Sequence, residues 1–280
     1  MHLSICTISF RHHLVSLENL AEWARTHAFD GIELWGVHAI GLEHQPQYDA
    51  KWLQDMGLSI SMLSDYLPLV GDRHAANQKC AHICRLADYW QTGKVRTFAG
   101  HQASDDVDAV QRQQMTLRLR DICQYAAESG LDVLVETHPN TLADTPTSTL
   151  RLLEEVNHPA LKLNFDTLHV WEAGADPVAF HRQVIEHIGH YHLKNIQSRE
   201  QLSVFSPENV YSPAGTRQGM VPLFNGALDY NAFLQGVANK PSVSASLEWF
   251  GHDVKKTLLH DKKKLELYFK NISLDSVLAV

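Results

Sequence analysis

Four side chains able to bind a metal fall at the ends of four successive apolar runs. They are Glu136 in LDVLVETHPN, Asp166 in LKLNFDTLHV, His192 in HYHLKN and Glu248 in SASLEWFG. An ionised group is costly to bury without a partner. One such residue at a strand boundary is ordinary, but the same placement over four consecutive runs points to a shared occupant. Three carboxylates and one imidazole suit a divalent cation that prefers oxygen. Mn²⁺ comes first, with Mg²⁺ or Co²⁺ also admissible, whereas Zn²⁺ favours histidine and thiolate.

Strand periodicity selects the companions of these four. Residues two apart in a strand point to the same side. His138 therefore accompanies Glu136, Lys194 accompanies His192, and Glu33 and Trp35 share a side on an earlier run. His138 is a candidate general base, because an unperturbed imidazole titrates near neutrality. Lys194 can bind a carboxylate or protonate a leaving group. His169 follows Asp166 by three residues and can orient that ligand or enter the site itself, the orienting role being favoured. Arg96 lies within an apolar run, where a buried guanidinium needs a carboxylate: a substrate's, or that of Glu33 or Asp65. Arg11, Tyr66, Phe205, Tyr211 and Arg217 are candidates for the rim, and Trp249 and Phe250 for the pocket wall.

The elements that must hold these residues alternate along the chain. Strands are expected at 3–10, 31–36, 58–66, 94–100, 131–138, 160–167, 190–196 and 242–250. Helical periodicity occupies 17–28, 75–91, 110–129, 145–156, 177–188, 229–237 and 253–269. Gly130 marks one helix stop, and Asn157 with Pro159 another. Eight βα units predict an α/β (β/α)8 barrel, a fold that builds its active site at the strand C-terminal ends. An open doubly wound sheet is the alternative, but the first strand leads into RHHLVS, with neither a GxGxxG nor a Walker motif. No Pro/Gly/Ser-rich linker divides the chain, so 1–280 reads as a single domain. The long stretch 199–228 after the seventh strand reads as a functional lid.

Composition narrows the partners. A net charge of -8 argues against nucleic acid and anionic membrane, which both require a basic face. No run approaches the roughly 20 apolar residues of a membrane span. Cys6, Cys80, Cys84 and Cys123 form no CxxC pair, and the N-terminus MHLSICTISFRHHL lacks a signal-peptide pattern. Free thiols in a cytoplasmic protein are therefore expected. Assembly is left open, a homodimer included.

With the ligand series and strand pattern in place, the sequence resembles the xylose-isomerase-like superfamily of metal-dependent TIM barrels. More closely, it is similar to bacterial 3-dehydroshikimate dehydratases of petrobactin siderophore biosynthesis. The segments that carry this are CTISFRH (6–12), GIELWG (31–36), SDYL (64–67), RTFAG (96–100), ETHPNTL (136–142), VYSPAG (210–215), GMVPLF (219–224) and ASLEWFGH (245–252). They span most of the chain.

The resemblance implies loss of water from 3-dehydroshikimate to give 3,4-dihydroxybenzoate (protocatechuate). It implies metal ligands at Glu136, Asp166, His192 and Glu248, with His138 as base. Lys194 is then the second candidate proton donor, Arg96 or Arg217 the anchor for the ring carboxylate, and Tyr66, His169 and Tyr211 further substrate contacts. The chief alternative is a sugar isomerase or ketose epimerase, which would pair two acid/base groups on opposite faces of its substrate. An endonuclease-IV-like enzyme would need more ligands and a basic face. A non-catalytic barrel that sequesters a hydroxy acid would survive loss of His138.

Overall fold

The computed structural model describes residues 1–237 and 244–278, with backbone only from 272. Eight parallel strands close into a barrel: β1 (His2–Cys6), β2 (Gly31–Trp35), β3 (Ser59–Ser64), β4 (Lys94–Thr97), β5 (Asp132–Glu136), β6 (Leu161–Asp166), β7 (Ile188–Leu193) and β8 (Ser244–Leu247). They follow one another in chain order around the barrel, and β8 pairs with β1 to shut it. The expected fold is therefore present. Ser242 and Val243 of the expected eighth strand lie outside the described residues.

Alternation along each strand sorts side chains between two environments. Ile32, Leu34, Val133, Val135, Leu163, Phe165, Tyr191 and Leu193 belong to the main hydrophobic cluster shared with the surrounding helices. Each buried aliphatic side chain contributes about 1.5–3 kcal/mol. The intervening residues face the barrel axis, which is unusually polar: Ser4, Glu33, Ser64, Arg96, Asn164, His190, His192 and Ser246 are all buried. Gly31 is required in this interior, since a Cβ there would lie 2.6 Å from Ser59 O.

Several strands end earlier than the sequence suggests. Residues Thr7–Phe10 turn into a 3-10 helix after β1, and β5 stops at Glu136, so His138 sits on a loop. Short helices Gly36–Leu42, Ala50–Asp55 and Thr167–Glu172 had no expectation attached to them. The stretch 199–228 is also folded rather than irregular. It contains a 3-10 turn (Arg199–Phe205), a helical turn (Pro207–Val210) and a strand, Met220–Val221, paired antiparallel with Asn195–Ile196. Asn195 pins the far end of this strap by donating to the Leu223 and Leu228 carbonyls at 2.6 and 2.9 Å.

Candidate active site

Glu136 and Asp166 are the last residues of β5 and β6, His192 lies one residue before the end of β7, and Glu248 follows β8 directly. The ladder places Asp166 beside His192, and His192 beside Ser246. All four expected ligands therefore converge at the C-terminal mouth, 6% exposed or less.

Local structure fixes each one. Asp166 caps the helix Thr167–Glu172: its Oδ1 accepts from the N–H groups of Leu168 and His169 at 3.1 and 3.2 Å, which leaves Oδ2 facing inward. His192 donates Nε2–H to the two Glu33 oxygens at 2.8 and 3.0 Å. Its Nδ1 has no hydrogen-bond partner, yet it lies 3.5 Å from Glu136, 3.6 Å from Glu248 and 3.9 Å from Asp166. Those distances are too long for hydrogen bonds and suit a cation between the groups. Glu136 Oε2 is likewise without a hydrogen-bonded partner.

Charge points the same way. Glu33, Glu136, Asp166 and Glu248 face Lys194 and Arg96 in a buried space. With the imidazoles neutral, as ligation by His192 would require, this leaves two uncompensated negative charges, the deficit that a divalent cation fills. Burial alone would push the His192 imidazole down, but Glu248, Glu33 and Glu136 more than offset it and hold it well above its usual value. Burial would raise Glu136, and Arg96 with His192 instead keep it well below the usual carboxylate range. The residues present fit a divalent metal.

Lys194 Nζ bonds Asp166 Oδ2 at 2.5 Å and Glu248 Oε2 at 2.6 Å. Its backbone is bracketed by the Tyr230 hydroxyl, which accepts its N–H and donates to its carbonyl. His138 is held by the turn after β5. Its carbonyl accepts from Thr141 Oγ1, and Asn140 takes a left-handed φ of 58°. The Nδ1–H of His138 donates to the Pro139 carbonyl at 2.8 Å, leaving the Nε2 lone pair free. Burial, with His169 beside it, pushes the imidazole down to about 3, far below the near-neutral value expected from sequence. It is therefore neutral at physiological pH.

Arg96 pairs with Glu136 (Nε to Oε2, 3.1 Å), not with Glu33 or Asp65; Asp65 instead binds Lys79 at 2.5 Å. The Arg96 contact is an ion pair by distance but lacks hydrogen-bond alignment, and Nη1 is also buried without a hydrogen-bond partner. Its guanidinium lies over the rings of Phe98 and Tyr66. His169 donates its backbone N–H to Asp166 Oδ1, its Nε2 lies 3.8 Å from Asp166 Oδ2, and its Nδ1 pairs with Glu172 at 2.7 Å.

The mouth is covered by the strap. The Tyr66 and Tyr211 hydroxyls meet at 2.5 Å, and Arg11 Nε donates to the Val210 carbonyl at 2.6 Å. Tyr66, Arg96, Glu136, His138, His169, Lys194, Tyr211 and Glu248 line a cavity of about 50 Å³, with Phe205 and Phe250 in its wall. A larger space of about 450 Å³ adjoins it on the far side of His138 and Phe205. Arg217 is not in this wall. Its guanidinium donates to the Asn209, Ser212 and Thr216 carbonyls and braces the strap internally. Glu33 is the residue whose part the sequence understated: it had a side of β2 and was offered to Arg96, whereas it binds His192.

The profile of the xylose isomerase-like TIM barrel family matches residues 21–268. The 3-dehydroshikimate dehydratase of Bacillus anthracis is 47% identical over 271 residues, covering 95% of this chain and 96% of that one. The solved structure of the probable 3-DHS dehydratase AsbF, involved in petrobactin synthesis in the same organism, superposes with a TM-score of 0.91 over 95% of this chain and 99% of that one. An IolI protein with a binding zinc atom shares the fold at a TM-score of 0.73 and 16% identity, over 98% and 97% of the two chains. The chain belongs to the xylose isomerase-like TIM barrel family and, within it, to the 3-dehydroshikimate dehydratases.

Proposed function

We propose that this chain is a metal-dependent 3-dehydroshikimate dehydratase that forms 3,4-dihydroxybenzoate and water, and that it supplies this catechol for siderophore assembly. The observation that carries the reading is one cavity lined by a neutral imidazole with a free Nε2, a guanidinium nitrogen without a hydrogen-bond partner, and Glu136 and Glu248, with Asp166 joined to it through Lys194. Mn²⁺ is the metal that best suits the oxygen-rich donor set. Four free, buried cysteines accord with a cytoplasmic enzyme.

A divalent cation bound by Glu136, Asp166, His192 and Glu248 supplies Lewis-acid polarisation of the substrate ketone. The rest of the reaction falls to the side chains. Arg96 Nη1 anchors the ring carboxylate, with the Tyr66 and Tyr211 hydroxyls beside it. His138 Nε2 takes the proton from carbon 4, which is acidic because the ketone is adjacent. The electron pair moves toward carbon 5, and the hydroxyl there leaves as water, protonated by His138 Nε2–H or Lys194 Nζ–H. Loss of a carbon 6 proton, with protonation of the carbon 3 oxygen, completes the aromatic ring. A base with a pKa near 3 suffices only when the proton it takes is strongly acidified, which fits a metal-assisted step.

Ketose epimerisation would need acid/base groups on opposite faces. The two imidazoles of this cavity, His138 and His169, instead lie against each other with centroids 4.5 Å apart. The test incubates metal-free protein with 3-dehydroshikimate, with and without Mn²⁺, and follows catechol absorbance. Metal-dependent product is expected, reduced about a hundredfold or more in His138→Ala. Absence of product with every divalent metal would overturn the reading.

A further inference from the structure

Glu33 lies on the barrel axis below the candidate metal ligands, fully buried. Both of its oxygens accept from His192 Nε2, and Oε1 also accepts from the Ser64 hydroxyl. Three side chains here, Glu33, His190 and His192, could by proximity form a second metal site. The hydrogen bonds argue otherwise. His190 has Nδ1 engaged with Ser244 Oγ at 2.7 Å and Nε2 with Ser246 Oγ at 2.8 Å, so it has no nitrogen left for an ion. His192 spends Nε2 on Glu33 and keeps Nδ1 free toward Glu136, Asp166 and Glu248.

We infer that Glu33 is the positioning residue of the metal centre, holding the Nε2 proton of His192 so that Nδ1 is presented, bare and correctly oriented, to the cation. A carboxylate in this position does two things. It fixes the ring plane, and it increases electron density on the ligating nitrogen, so its loss typically lowers metal affinity by about 10–100-fold. The Ser64 hydroxyl sets the carboxylate in turn. Glu33 itself touches neither substrate nor metal. This rests on the metal-dependent reading above.

Two measurements test it. Mn²⁺ titration of metal-free protein, followed by loss of the free-ion electron paramagnetic resonance signal, compares wild type with Glu33→Gln. The variant keeps size and an acceptor oxygen but lacks the charge, and its affinity is expected to fall about 10–100-fold. Equal affinity would overturn the inference. The second measurement does not depend on Glu33→Gln: nitrogen-15 spectra of histidine in the zinc-loaded wild type. One imidazole with a metal-bound Nδ1 and a protonated Nε2, assigned by its loss in His192→Gln, is expected. Metal on His192 Nε2 would overturn the assignment even if Glu33→Gln failed to fold. Wild type that bound neither Mn²⁺ nor Zn²⁺ would instead bring down the metal reading itself, a result distinct from either of these.

Discussion

Lys194 Nζ bonds two carboxylates, Asp166 and Glu248, that would also ligate a cation, so lysine and metal compete for the same oxygens. Charges this close interact by several kcal/mol at an effective dielectric of about 20. Lys194→Met is therefore expected to tighten Mn²⁺ binding by at least about tenfold while abolishing turnover, and to lower the melting temperature of the metal-free protein. Weaker Mn²⁺ binding in the same titration would mean that Lys194 assists the cation instead of opposing it. Much at this scale was readable, because each of the four candidate ligands announces itself as a polar residue closing an apolar run. The bond between Glu33 and His192 was not, since no periodicity relates residues 159 positions apart. For the same reason Arg96 was offered Glu33 or Asp65: which carboxylate reaches it depends on the barrel's curvature, and Glu136 on the adjacent β5 wins.

At the scale of elements the strap decides access. With the strap closed, the inner cavity of about 50 Å³ is far below the 300–1,000 Å³ usual for ligand pockets, so a ring enters only if the strap at Tyr211 and Val210 withdraws or the wall at Phe205 opens to the adjoining space of about 450 Å³. Arg217 braces the turn that carries Tyr211 and Val210. Arg217→Ala removes its bonds to three carbonyls and should destabilise the strap by about 1–2 kcal/mol. Expected are faster proteolysis within 199–228 and a KM raised several-fold, with Mn²⁺ affinity unchanged. A carboxylate-anchoring role for Arg217 would instead raise KM without changing proteolysis. The sequence marked this segment as one long stretch with no elements of its own. Its pairing is only two residues per strand, too short for any alternation to register, and its order comes from side chains such as Asn195 that reach back to its carbonyls. Strand lengths were overread for a related reason: the apolar run continues past β1 into residues whose backbone has already turned.

Across the whole molecule, the C-terminal helix Val254–Leu278 is tied to the end of the strap by one carboxylate. Asp261 Oδ1 accepts from Leu223 N–H at 3.0 Å. Burial raises this group to about 7, only partly opposed by that N–H. The folded chain thus holds a proton that the unfolded chain releases near pH 4. Stability at this position therefore falls as pH rises from about 4 to about 7. Asp261→Asn keeps an acceptor oxygen and cannot ionise. Its stability relative to wild type, from urea unfolding, is expected to increase steadily between pH 4 and pH 7 and to level off above. A difference independent of pH would show that Asp261 does not titrate in this range.

The contact between Glu33 on β2 and His192 on β7 also has a consequence in time. During synthesis the carboxylate emerges long before the imidazole that satisfies it, and Glu248 emerges later still, just after the strand that closes the barrel onto β1. Contacts so distant in sequence are slow to form, because the loop entropy is lost before the contact is gained. Until then the nascent chain carries acidic groups along what will become its axis, and they keep that axis hydrated. Competence to bind the proposed metal would arrive with the last strand, so a chain interrupted before Ser244 would be not a weakened enzyme but one whose centre has never been assembled.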